Sequence, residues 1–160
     1  MTAIALNGFP VAASKQNDRL RHLVTAGLIS LAVAFTNAGT AIITNRVIQA
    51  GTAAKNIGWG TGSTTAAVTQ TALVTEFAPT TSGGRTVGTE SRTTITNAND
   101  NNQVTGTVTA TTGGTIAESG LFDAVTAGNM LIRANFTGIA VVTNDAIAFT
   151  FGLQQIAGVF

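Results

Sequence analysis

Residues 115–136 read TIAESGLFDAVTAGNMLIRANF. The stretch divides into two apolar-rich runs, Thr115–Phe122 and Met130–Phe136, separated by the polar tip Asp123–Asn129. In the second run Met130, Ile132, Ala134 and Phe136 recur at period two, while Leu131, Arg133 and Asn135 take the other face, the pattern of a β-strand. In the first run Ile116 and Leu121 bracket Glu118-Ser119-Gly120, where the glycine permits a bend or bulge. These residues predict a central antiparallel hairpin with no catalytic pattern in it.

Working outward, the strand signal repeats. Thr143-Asn144-Asp145 turns Ile139–Val142 into Ala146–Leu153, where Ile147, Phe149, Phe151 and Leu153 alternate with small residues. Upstream, Arg85–Thr96 and Gln103–Thr112 form an expected long hairpin around the tip NANDNNQ, and Val104, Gly106, Val108 and Ala110 alternate with threonines. Lys55–Trp59 reads as a short strand followed by the turn Gly60-Thr61-Gly62-Ser63. Thr69–Phe77 suits one or two helical turns with Leu73 pointing inward, and Pro79 to Gly84 is a loop. The β-branched run Ala41–Ala50 predicts another strand.

The N-terminal third is different. Asn17 or Asp18 can cap a helix through Phe35 whose apolar stripe is Leu20, Leu23, Val24, Leu28, Leu31 and Phe35, with Asn37-Ala38-Gly39 as its stop. Within it, residues 23–35 form an apolar run too short to span a bilayer, and a core helix is preferred to a signal peptide. Before it, residues 1–16 carry Ile4, Leu6, Phe9 and Val11, more apolar than a frayed tail, and Pro10 breaks any regular element. They form either a strand on the chain's own sheet or an arm that docks on a neighbouring subunit. The expected architecture is all-β: a jelly-roll-like β-sandwich over residues 17–160, one domain with one N-terminal α-helix near 17–35, preceded by the arm 1–16.

Composition narrows the function. Of 160 residues only 9% are charged, against about 25% in ordinary soluble domains. So few charges protect a monomer's surface weakly, and burial against other chains, as a homo-oligomer, is the natural resolution. A net charge of +1 gives no electrostatic case for nucleic acid. There is no cysteine, which removes disulfides and thiolate chemistry. The one modest basic cluster is Lys15, Arg19 and Arg21, and Arg19 and Arg21 are candidates for an acidic partner surface because they sit unfavourably at a helix start.

Reactive groups do not converge. His22 is the single histidine, and the acids Glu76, Glu90, Asp100, Glu118, Asp123 and Asp145 show no paired spacing. Gly58-Trp59-Gly60-Thr61-Gly62-Ser63 superficially resembles a phosphate loop but lacks its lysine. Asn97, Asn99, Asp100, Asn101 and Asn102 could offer oxygen ligands, yet a polar hairpin tip explains them without a metal. Trp59, the only tryptophan, is a candidate interface anchor, with a core aromatic as the preferred reading. Arg85, Arg92 and Arg133 sit on charge-poor strands, with Glu90 and Glu118 as possible partners. The expectation is a non-enzymatic chain with no cofactor and no membrane segment.

Four segments in order, NIGWGTGSTTAAVTQTALVTE (56–76), a strand opening with Arg85, IAESGLFDA (116–124) with MLIRANF after it, and NDAIAFTF (144–151), together resemble a family of tailed-bacteriophage virion proteins. The resemblance spans roughly residues 50–154. It implies a small all-β structural protein of the virion: a capsid decoration or cement protein on the capsid surface, contacting the major capsid protein and most simply trimeric. The alternative is a tail-fibre or receptor-binding module. One Trp and no Tyr give few platforms for sugar rings, which weighs against the alternative.

Overall fold

A computed structural model describes residues 32–77 and 84–156. The element order is β1 (Ala32–Phe35), α1 (Asn37–Val47), β2 (Asn56–Gly60), β3 (Thr86–Val87), β4 (Thr89–Thr93), β5 (Asn101–Thr109), β6 (Gly114–Phe122), β7 (Met130–Val141) and β8 (Ala146–Gln154). Two antiparallel sheets result, one of five strands in the order β1-β7-β6-β2-β3 and one of three in the order β4-β5-β8. Among the described residues this is the expected all-β sandwich, with one helix.

The jelly-roll character has a concrete cause. The β6–β7 hairpin lies in the large sheet, and its continuations on either side, β5 and β8, pair in the small one. A single antiparallel ribbon therefore folds over itself, and both of its strands bend at one place. There Asn144 N donates to Ala110 O at 2.8 Å and Ala110 N to Asp145 O at 2.9 Å. The fully buried Asp145 accepts the Val142 N–H at 2.9 Å, which closes the second corner. A second crossing occurs at Gly88, where the chain leaves β3 in the large sheet for β4 in the small one. A Cβ there would stand 2.7 Å from Val104 Cγ1 and 2.9 Å from Thr105 O, so only glycine fits.

The period-two residues fill the space between the sheets. Ile147, Phe149, Phe151 and Leu153 from β8 meet Val104 and Val108 from β5, and Ile57, Trp59, Ile116, Leu121, Ile132 and Phe136 from the large sheet. Trp59 packs edge-on against Phe149, with ring centroids 6.4 Å apart, and tilts against Phe77 at 5.9 Å. Met130 departs from its predicted row. Pairing of β6 with β7 shifts between Leu121 and Phe122, and Met130 joins Leu73 and Phe122 in a separate cluster.

A helix stands where a strand was expected. Residues 17–31 of the predicted helix fall outside the described residues, and its end, Ala32–Phe35, is strand β1, paired with β7 from Ala32↔Asn135 to Phe35↔Ile132. The helix α1 covers most of the stretch predicted as the strand Ala41–Ala50. Thr36 decides this. Its side chain accepts the Gly39 N–H at 2.9 Å as an N-cap, its hydroxyl donates to Met130 O, and its own N–H donates to Leu131 O at 3.1 Å. Asn37-Ala38-Gly39, expected as a helix stop, is thus a first turn. A Cβ on Gly39 would lie 2.5 Å from Leu131 O, so the glycine serves close approach of α1 to β7. Tertiary packing overrides the β-propensity of Ile42, Ile43 and Thr44. Thr69–Phe77 forms no helix either; it is an irregular cover on the outer face of the large sheet.

Candidate functional site

The outer face of β2, β6 and β7 carries the densest polar arrangement among the described residues. Three glycines, Gly58, Gly60 and Gly120, make that face low, and the segment 61–77 settles onto it. Leu73 comes so near that a Cβ on Gly58 would be 3.3 Å, and one on Gly120 3.1 Å, from its methyl groups. On Gly60 a Cβ would collide with Thr75 O and stand 2.5 Å from Glu118 Oε1. The row of glycines is therefore the seat of this segment rather than a flexible loop.

Glu118 of β6 and Arg133 of β7 fasten the segment. Both side chains are fully buried. Arg133 Nε donates to Glu118 Oε2 at 2.8 Å, and Nη2 lies 2.8 Å from the same oxygen as a charge contact without hydrogen-bond geometry. Arg133 Nη1 also donates to Thr64 O at 3.0 Å and Gln70 Oε1 at 2.9 Å. Glu118 accepts the backbone N–H groups of Gly62 at 3.1 Å, Val74 at 3.0 Å and Thr75 at 2.8 Å. The glycine-containing turn thus does bind an anion through its backbone, and the anion is the protein's own carboxylate. Such a site holds chain in place; with both carboxylate oxygens occupied it offers no free base.

Arg85 secures the neighbouring end. Its guanidinium lies 3.3 Å from the Phe122 ring centroid, and it forms a two-pronged pair with Glu76 at 2.8 and 3.1 Å. It also donates to Ala124 O at 3.1 Å and to Ala127 O, which fixes the β6–β7 tip. Asp123 closes that tip by accepting both N–H groups of Asn129, at 2.7 and 3.0 Å. Of the two acids offered as partners for these arginines, Glu118 pairs with Arg133, while Arg85 pairs with Glu76, which was not among them.

The hairpin tip 97–103 is organised around Asp100. Its carboxylate accepts from the backbone of Ile95, Thr96 and Asn97 and from Gln154 Nε2, all at 2.8–2.9 Å. The Asn97 N–H above all holds this carboxyl well below the usual carboxylate range. Oxygens that face N–H donors are arranged for a turn and not for a cation. Among the described residues no group of His, Cys, Asp and Glu is placed to hold a metal ion. A polar cleft of ≈ 540 Å³ beside the tip is lined by Glu90, Arg92, Asn99 and Asn102 among others, with no aromatic side chain.

Of the predicted interface residues, Ile4, Leu6, Phe9, Val11, Arg19 and Arg21 lie outside the described residues. Trp59 is 1% exposed and belongs to the core, the preferred of its two readings, so it is not the interface anchor also considered for it. No helix among the described residues is long and apolar enough to cross a membrane. Exposed apolar side chains that the sequence did not single out are Val47 and Ile48, at 77% and 68% exposure, where α1 ends. Comparison of the chain with protein-family models, with curated proteins and with solved structures finds no match.

Proposed function

We propose that the chain is a structural virion protein: a capsid decoration, or cement, protein on the surface of a phage head that bridges major capsid protein subunits. Its action is mechanical rather than catalytic. Copies associate with one another and add interface across the boundaries between capsid subunits, opposing the outward pressure of packaged DNA.

The observation that carries this reading is where the few charges go. Arg85, Glu118, Arg133 and Asp145 are buried inside a chain already poor in charge, and Asp100 and Asp123 are occupied in turns. Among the described residues Arg46, Lys55, Glu76, Glu90 and Arg92 stay at or near the surface, and the rest of the outside is mostly Thr, Asn, Gly, Ala and exposed aliphatics such as Val47 and Ile48. Such a surface suits burial against other protein chains better than solution. The cleft by Glu90 and Arg92 has no aromatic platform, and in a second cleft lined by Trp59 and Phe77 the tryptophan is buried in the core, which weighs against sugar recognition by a fibre module. The test is reconstitution. Phage particles depleted of the protein should regain resistance to heat and chelator-induced rupture when purified protein is added back; unchanged rupture, with no protein retained on the heads, would overturn the reading.

A further inference from the structure

The edge of a β-sheet presents unpaired N–H and C=O groups, and proteins guard such edges with brevity, charge, proline or bulges. This sandwich has four edges, formed by β1, β3, β4 and β8. Strand β1 has four residues and β3 has two. Strand β4 carries Glu90 and Arg92, both exposed. Among the described residues strand β8 shows none of these protections. It is nine residues long, reads AIAFTFGLQ without charge or proline, and keeps register with β5 from Asn101↔Gln154 to Thr109↔Ala146 without a shift. Among the described residues no strand pairs with its outer edge.

A second observation concerns the edge of the large sheet. Phe149 of β8 meets Trp59 of β2 and Phe136 of β7 about equally closely, with ring centroids 6.4 and 6.5 Å apart, so β8 crosses the large sheet between those strands. The large sheet ends one strand beyond β7, at β1. Val33 and Phe35 of β1 touch the core but are only partly buried.

We propose that β8 pairs antiparallel with β8 of a second copy of this chain about a two-fold axis, joining two three-stranded sheets into one of six strands. Self-pairing fits the chemistry: each edge is charge-free, and the outward residues Ala146, Ala148, Thr150 and Gly152 are small enough for close approach. Pairing of β8 with β4 of a neighbour would set Glu90 and Arg92 beside an uncharged strand and leave a fresh β8 edge open on each added copy. The two-fold arrangement closes and leaves no β8 edge open. The resulting unit is a dimer, in place of the trimer expected from the resemblance. Solution association tests this without particles, so its failure leaves the virion role to be decided separately.

The chain has no cysteine, which makes cross-linking clean. Opposed residues across antiparallel strands have Cα atoms about 4.5–5.5 Å apart, within the range a disulfide bridges. Ala148→Cys, Thr150→Cys and Gly152→Cys, oxidised singly and as pairwise mixtures, should give a covalent dimer from at least one combination. Val68→Cys, on the exposed cover segment, should not. Wild-type protein should sediment as a dimer, and Ala148→Lys should weaken it by about tenfold or more with an unchanged circular dichroism spectrum. Three outcomes would overturn the proposal: a trimer, no covalent dimer from any combination, or a monomer whose β8 amides resist hydrogen exchange because the chain's own residues cover the edge.

Discussion

The large sheet is held on its two faces by opposite means. Its inner face buries Ile57, Trp59, Leu121, Ile132 and Phe136 against β5 and β8, an apolar contact that is strong but has little directional preference. Its outer face is lowered by glycines and, beside a small apolar contact of Leu73 with Phe122 and Met130, is fastened by the Glu118–Arg133 pair to an irregular segment that shares only an isolated bridge, Gly60↔Glu76, with β2. Apolar burial suffices where regular strands already fix the geometry. An irregular segment needs named partners for its N–H groups, and a buried carboxylate supplies three of them at once.

That contrast can be broken at either face. Glu118→Gln should destabilise the fold by about 3–5 kcal/mol, because Arg133 is left buried without its counter-charge. Phe149→Ala should cost about as much, roughly 3–5 kcal/mol, through the cavity it opens between the sheets. Urea denaturation measures both, and limited proteolysis separates them. The first variant should be cut within 61–77 under native conditions, whereas the second should unfold as a whole. Replacing both members of the pair, as Glu118→Met with Arg133→Met, should cost less than the sum of the single changes.

Smaller effects sharpen the picture. Gly60→Ala should cost about 1–3 kcal/mol by pressing the cover away from the sheet, with the loss seen as faster hydrogen exchange at Gly62 and Thr75. Thr36→Ala removes the cap that turns the chain into α1 and should cost about 1 kcal/mol in thermal unfolding, with helical signal reduced. The smallest effect is at Asp100. Its folded carboxyl is held below its ordinary value, so its contribution is fully present above the ordinary carboxylate pKa and drains away as pH falls below it toward the lowered value. Asp100→Asn should therefore lower stability at neutral pH and flatten the acid limb of the stability profile; an unchanged acid limb would show that the turn does not depend on the charge.

The inner face was legible in the sequence because alternation is a local signal. Residues 146–153 and 104–110 announce their buried side directly, and the hairpin 115–136 is where its pattern placed it. The outer face was legible only in part: Glu118 was a candidate partner for Arg133 across the hairpin, but Gly62, Val74 and Thr75, whose N–H groups it accepts, lie far away in sequence and no spacing rule joins them. The one available hint was three glycines on β2 and β6 facing one way. The helix was missed because Thr36-Asn37-Ala38-Gly39 can either start or stop a helix, and the β-branched residues beyond it favour a strand until contact with β7 decides otherwise. Trp59 shows the reverse case, where the plain reading of a lone aromatic on a strand as core is the right one.

The most direct test of a decoration role is a three-dimensional reconstruction of the phage particle with the protein's copy number measured against the major capsid protein. The predicted result is sandwich-shaped density over the junctions between major capsid subunits, in a fixed ratio to them, with the charge-poor surface covered by protein. Presence in only a few copies at the tail, or absence from purified particles, would contradict it.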